Sequence, residues 1–215
     1  MYLDGICLKR SQGYREVLGV TEGAKEDKAG WSNFLRHLKE RGLTGVKLFI
    51  SDRCLGLVES LSDFYPKTDH QRCTVHFYRN VFPVVPRNRM KEVSNMLKAI
   101  HVQEDRAAAL EKIDAVAAKL LMMKLSKASE KVKNKAHETL PYYAFPREHW
   151  RNIRTNNPLE RILREIRRRT RVVGRFPDRQ SALMLAAARL RHVAGTKWDV
   201  RRYINMDHFK WPSND

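Results

Sequence analysis

The chain has 215 residues, 42% of them apolar, which suits one large domain or a domain carrying an insertion. Its net charge is +18, and the surplus is uneven: residues 1–75 carry 12 basic and 10 acidic residues, whereas residues 147–202 carry 16 and 5. Charge kept only for solubility would not segregate in this way, but a face that binds a polyanion would. Three cysteines, Cys7, Cys54 and Cys73, are too few and too odd for a disulfide framework and suit a reducing, cytoplasmic setting. The sequence opens with no signal-peptide pattern and has no apolar run long enough to span a bilayer. No segment has the Trp- and Phe-rich apolar side of a membrane-surface helix, so the expected partner is nucleic acid and not a membrane.

In chain order, residues 2–8 form a short apolar run that predicts a strand, interrupted by Asp4. A turn at Ser11-Gln12-Gly13 and a second strand at 15–20 complete a hairpin. Residues 25–41 place Trp31, Phe34, Leu35 and Leu38 at helical spacing, and Gly42 stops the helix. A strand at 46–50 ends in Ser51-Asp52, a helix covers 55–64, and a further strand is predicted at 71–75. That order points to an α/β sheet with helices on its faces. From residue 77 to 146 the pattern becomes helical, with segments at 90–100, 105–125 and 126–140; Met122 and Met123 read there as packing residues. Residues 146–175 carry a basic helix, Asp178 caps another at 181–193, and the end is read as a short helix and a tail.

The basic helix is the most informative stretch. Asn157 suits a cap, Pro158 the first helical position, and Glu160 falls in the first turn. Leu159, Ile162, Leu163 and Ile166 form an apolar face. Much of the remaining surface is arginine: Arg161, Arg164, Arg167, Arg168 and Arg171 can grip phosphate oxygens through two N–H groups each. Glu160 has two readings. Asn-x-x-Glu is a capping-box pattern, in which the glutamate returns to the cap backbone. A carboxylate amid guanidinium groups also suits a divalent cation beside a phosphate backbone.

Asp4 lies within an apolar strand, where an unpaired carboxylate is costly. Asp52 ends another strand, at the edge where α/β sheets place their sites. Two such carboxylates side by side repel, and a divalent ion relieves the repulsion. With Glu160 they would make an all-oxygen site for Mg²⁺ or Mn²⁺. Cys73-Thr74-Val75-His76 supplies only half of a structural zinc site, so packing and hydrogen bonding at a strand end is the preferred reading. Neither a dinucleotide fingerprint nor a phosphate loop occurs, and no nucleotide cofactor is expected.

Taken together, Asp4 in Tyr-Leu-Asp-Gly, Asp52 in Phe-Ile-Ser-Asp, Cys73-x-x-His76 followed by Arg79-Asn80, and Asn157-x-x-Glu160 followed by Ile166-Arg167-Arg168-Arg169-Thr170-Arg171-Val172-Val173-Gly174 resemble the catalytic domain of Mutator-type bacterial insertion-sequence transposases. The resemblance implies a ribonuclease-H-like mixed sheet flanked by helices, with an all-helical insertion. The core would occupy residues 1–76 and 147–205, the insertion 77–146 and a tail 206–215. It implies two bound Mg²⁺ ions on Asp4, Asp52 and Glu160, with Cys73 and His76 close to the site. It also implies cleavage and joining of double-stranded DNA, at transposon ends and target, by a protein associated with the nucleoid; a homo-oligomer is compatible with it. Two departures stand out: the sequence begins three residues before Asp4, and residues 9–13 run almost directly into 14–20 where the family has a three-stranded hairpin. Both point to a truncated or inactive copy. The alternatives are a non-catalytic basic DNA-binding remnant and a metal-dependent nuclease that cuts without joining.

Overall fold

A computed structural model describes residues 7–8, 13–20, 27–52, 54–173, 176–194 and 202–207. In chain order the strands and helices are β1 (Cys7–Leu8), β2 (Arg15–Glu16), α1 (Lys28–Glu40), β3 (Leu48–Ser51), α2 (Leu55–Phe64), β4 (Asp69–Arg72), α3 (Thr74–Val81), α4 (Met90–Ile100), α5 (Arg106–Met122), α6 (Ser126–Lys135), α7 (Trp150–Ile153), α8 (Asn157–Val173) and α9 (Arg179–Ala194). The class is therefore α/β, with short strand pairs among many helices. Within the described residues the strands form two separate pairs. β1 and β2 are antiparallel, with Cys7 opposite Glu16, and β3 and β4 are parallel, with Ser51 opposite Arg72.

The chain divides into two compact units. The first comprises Met1–Val46, Cys54–Pro66 and Asn156–Asp215. In it α1 starts at Asp27, whose side chain accepts from the Gly30 N–H at 2.9 Å. Phe34, Leu35 and Leu38 recur on one face of α1 and are buried, as are Leu57 and Leu61 on α2. Each such side chain contributes roughly 1.5–3 kcal/mol on burial. The two helices approach closely at Gly56, where an added Cβ would lie 2.7 Å from the Asp27 carbonyl carbon and from the Lys28 nitrogen. Ser60 occupies the same contact, with its hydroxyl 3.1 Å from the Lys28 carbonyl and 3.0 Å from Ser32 Oγ. Trp31 Nε1 donates to the Cys54 sulfur at 3.0 Å. A smaller cluster joins Ile162 and Ile166 of α8 to Ala186 and Leu190 of α9, with Val17 and Val20 against it. As the sequence predicts, Asp178 caps α9, accepting from the Ser181 N–H at 2.6 Å.

The second unit comprises Lys47–Arg53 and Lys67–Thr155. Phe77, Val81, Val93, Leu97, Ile100, Ile113, Val116, Leu120, Val132 and Leu140 form its core. Buried polar groups are tied into it. Gln71 Nε2 donates to the carbonyls of Arg72 at 2.7 Å and Thr139 at 2.8 Å, and its Oε1 accepts from the Tyr142 N–H at 3.0 Å. Arg72 pairs with Glu138 at 3.1 Å. His101 lies 2.8 Å from Tyr78 Oη and 2.7 Å from Thr139 Oγ1. Burial holds the His101 imidazole down to about 4 and pushes Tyr78 above its ordinary range.

Two helices end in the same motif. Leu43 N–H returns to the Leu38 carbonyl at 3.0 Å and Gly42 N–H to Lys39 at 2.9 Å; after α5, Leu125 N–H returns to Leu120 and Lys124 N–H to Leu121, both at 2.9 Å. This is a left-handed helix ending, which glycine ordinarily serves. Gly42 has φ 85° and Lys124 has φ 61°, the one positive φ outside glycine among the described residues.

Several boundaries differ from the sequence reading: the strand predicted at 15–20 is only Arg15–Glu16, that at 46–50 is Leu48–Ser51, and the helix at 105–125 is Arg106–Met122. The strand predicted at 71–75 is Asp69–Arg72, and Thr74 opens a helix instead of continuing the strand, because Phe77 and Val81 need helical spacing to reach the core. The helix predicted at 126–140 ends at Lys135 and tightens into a 3-10 turn over Ala136–Thr139, ahead of Pro141. Helix α8 begins at Asn157, so Asn156 stands at the cap and Pro158 at the second helical position. Residues 202–207 form no helix.

Candidate metal and nucleic-acid site

Asp52 follows directly on β3 and is exposed. Its neighbour Ser51 is held from two sides. The Ser51 carbonyl accepts from the Cys73 N–H at 2.8 Å, and its hydroxyl lies 2.6 Å from the Asp52 carbonyl and 2.8 Å from His70 Nε2. A hydroxyl has one proton, so when Ser51 donates to the Asp52 carbonyl, His70 must donate through Nε2–H. Burial, the largest influence on His70, lowers its pKa and favours the neutral ring that this arrangement uses. The result is a backbone turn at Asp52 fixed by groups from β3, β4 and the start of α3.

Cys73 is fully buried at the N-terminal edge of α3, and His76 is half-buried in the first turn of that helix. The Cys-x-x-His pair therefore lies where β4 ends and α3 begins.

Glu160 lies in the first turn of α8 and is half-buried, its backbone N–H bonded to the Asn156 carbonyl at 3.1 Å. Ile162, Leu163 and Ile166 turn inward, which leaves Arg161, Arg164, Arg167, Arg168 and Arg171 exposed. At about 100° per residue, those five arginines fall within roughly a third of the helix circumference, and Glu160 lies on the same side. They are not equivalent. Glu165 takes Arg168 in a two-pronged pair, 3.0 Å at each contact, and also binds Arg169 Nε at 3.1 Å. These hydrogen bonds hold the Glu165 carboxyl down to about 2 and raise Arg168.

Asp4 lies outside the described residues. Among the described residues no three His, Cys, Asp or Glu side chains gather as a metal-binding group. Asp52 belongs to the second unit and Glu160 to the first. Sequence reasoning missed the Ser51–His70 contact, which joins residues on paired strands far apart in the chain. It also passed over the Glu165 pairs, although their i,i+3 and i,i+4 spacing was available to it. Among the described residues no helix is long and apolar enough to cross a membrane.

Comparison with known proteins sets these residues in context. The family described as "Transposase, Mutator family" matches residues 7–198. The chain is 38% identical over 197 residues to the transposase for insertion sequence element IS1081 of Mycobacterium tuberculosis, an alignment covering 92% of this chain and 47% of that protein. It is 31% identical over 224 residues to the transposase for IS6120 of Mycolicibacterium smegmatis, covering 97% of this chain and 68% of that protein. It is also 32% identical over 198 residues to the transposase for IS256 in transposon Tn4001 of Staphylococcus aureus, covering 91% and 50%. This chain belongs to the Mutator family of transposases. It spans about half the length of most of these relatives.

Proposed function

We propose that the chain is the catalytic portion of a DDE-type transposase that cleaves and joins double-stranded DNA. The observation that carries the reading is α8: an exposed arginine face beside an early glutamate, in a chain of the Mutator family. In this account the fold is ribonuclease-H-like. Residues 1–76 and 147–205 make the core, and the helices of 77–146 are an insertion before the last acidic residue.

Asp4, Asp52 and Glu160 are the residues that would hold Mg²⁺ or Mn²⁺. Their donor set fits, being entirely carboxylate oxygen. Asp52 is also exposed at a fixed strand end. When bound, two such ions would supply an activated oxygen nucleophile and positive charge at the phosphate. The protein's own part is to position. Ser51, His70 and the Cys73 N–H keep the Asp52 backbone in place. Arg161, Arg164, Arg167, Arg168 and Arg171 take phosphate oxygens of the duplex and set its register, adding affinity with little sequence information. Cys73 and His76 support the site through packing at the start of α3. Such a protein works in the cytoplasm, on the nucleoid, and as a homo-oligomer when both ends of an element are joined.

The experiment is a strand-transfer assay with Mn²⁺ and a labelled duplex that ends in a 3′-hydroxyl. Transposase chemistry yields joined products. Nicking without joining makes the chain a nuclease, and salt-sensitive binding with neither makes it a DNA-binding remnant.

A further inference from the structure

We propose that the turn after α5 and the helix α6 form a second contact surface for the phosphate backbone of duplex DNA, made by Lys124, Lys127, Lys131 and Lys135. This goes beyond the arginines of α8, and it rests on the reading that the chain handles duplex DNA.

Helix α6 carries four lysines and a single carboxylate, Glu130. Ala128, Ser129 and Val132 are buried and fix which side faces inward. Lys127, Lys131 and Lys135 recur every fourth residue, so they stack along one side of the helix. Like charges at that spacing repel and weaken a helix, so an anion lying along them would relieve the repulsion. Lys131 is fixed in position: its Nζ lies 3.0 Å from the Asn80 carbonyl and 2.9 Å from Asn80 Oδ1. An ammonium has three donors, and these contacts use two. They also hold the lysine row against the end of α3, where the next residue back is the exposed Arg79.

Lys124 is the independent observation. It is exposed and stands in the left-handed conformation that closes α5, the position that Gly42 fills after α1. A long side chain there is strained where glycine would not be. Lys124 stands three residues before Lys127, so its positive charge adds to the lysine row. Lys124 and Lys127 are exposed and Lys131 and Lys135 half-buried; a phosphate backbone is the ligand that matches such a row of ammonium groups, each lysine acting as a point charge on one phosphate with no base specificity.

The test uses the 215-residue chain, a short duplex of mixed sequence, and anisotropy titrations across a salt series, beside thermal melting. Lys124→Gly should melt at a higher temperature and yet bind DNA more weakly, opposite signs that loss of folding cannot produce. Lys124→Arg should keep the affinity. The Lys127→Gln, Lys135→Gln double variant should flatten the log–log salt slope by roughly 0.9 for each phosphate that it no longer neutralises. If Lys124→Gly and the double variant bind as the parent does while Arg164→Gln binds more weakly, the lysine surface is overturned and the α8 reading stands. A parent chain without salt-dependent DNA binding overturns both.

Discussion

Ser51 Oγ lies 2.8 Å from His70 Nε2, across the parallel pair of β3 and β4. The same hydroxyl is 2.6 Å from the Asp52 carbonyl oxygen, so an imidazole on one strand fixes the backbone where the neighbouring strand presents a carboxylate. Removing the hydroxyl takes away one of the contacts that fix the chain direction at Asp52, while the Cys73 N–H stays on the Ser51 carbonyl. Ser51→Ala should cost about 1 kcal/mol of stability, the usual net worth of a hydrogen bond. Its effect on metal-dependent nicking should be larger than that stability loss explains, with DNA affinity unchanged. Equal nicking by Ser51→Ala and the parent would show that this hydrogen bond does not serve the site.

Acid should weaken the second unit through His101. Its folded pKa, about 4, lies below the ordinary 6.5 because the ring is buried. The folded state therefore disfavours a proton that the unfolded chain takes up. The stability contribution is complete above pH about 6.5, is lost as pH falls toward 4, and levels off below that. At 1.36 kcal/mol per unit the total is on the order of 3 kcal/mol. Denaturant melts from pH 7 to 4 should show this slope, and His101→Gln should flatten it.

Gly56 should tolerate no side chain. A Cβ there meets the backbone of Asp27 and Lys28 at 2.7 Å, and backbone cannot yield as a side-chain tip can. Gly56→Ala should force α1 and α2 apart and cost about 1–3 kcal/mol, the range for overpacking. Thermal melting checks this; an unchanged midpoint would mean that the helices slide at no cost.

Glu165 should act as a brake on DNA binding, because it occupies Arg168 and Arg169. Glu165→Gln frees both guanidinium groups. Affinity for mixed-sequence duplex should rise, and the log–log salt slope should steepen by roughly 0.9–1.8 if one or both take up phosphates. Arg164→Gln should shift both quantities the other way.

Much of the fold can be read from the sequence because its cues are local. The spacing of Phe34, Leu35 and Leu38 and the inward set of Ile162, Leu163 and Ile166 place α1 and α8 without tertiary information. Asp178 marks the start of α9 in the same way. The helix at Cys73 is hidden because β-branched Thr74 and Val75 follow a strand and prolong its pattern, and only the core positions of Phe77 and Val81 decide between strand and helix. The Ser51–His70 contact depends on strand register across a crossover, which spacing along the chain does not encode. The strain at Lys124 has no sequence signal, since a lysine near a helix end ordinarily reads as a favourable charge there. Of the acidic set, Asp52 and Glu160 are found at a strand end and in a first helical turn, as the sequence suggests. Asp4 falls outside the described residues.

Cleavage should depend on metal held by carboxylates that do not themselves bind DNA. The direct measurement is nicking of an end-labelled duplex by the purified chain with Mn²⁺ and with chelator, beside Asp52→Asn and Glu160→Gln. Chelator should abolish nicking and both variants should lose it, while both keep at least the parent's DNA affinity. Nicking that persists in both variants, or in chelator, would contradict that dependence.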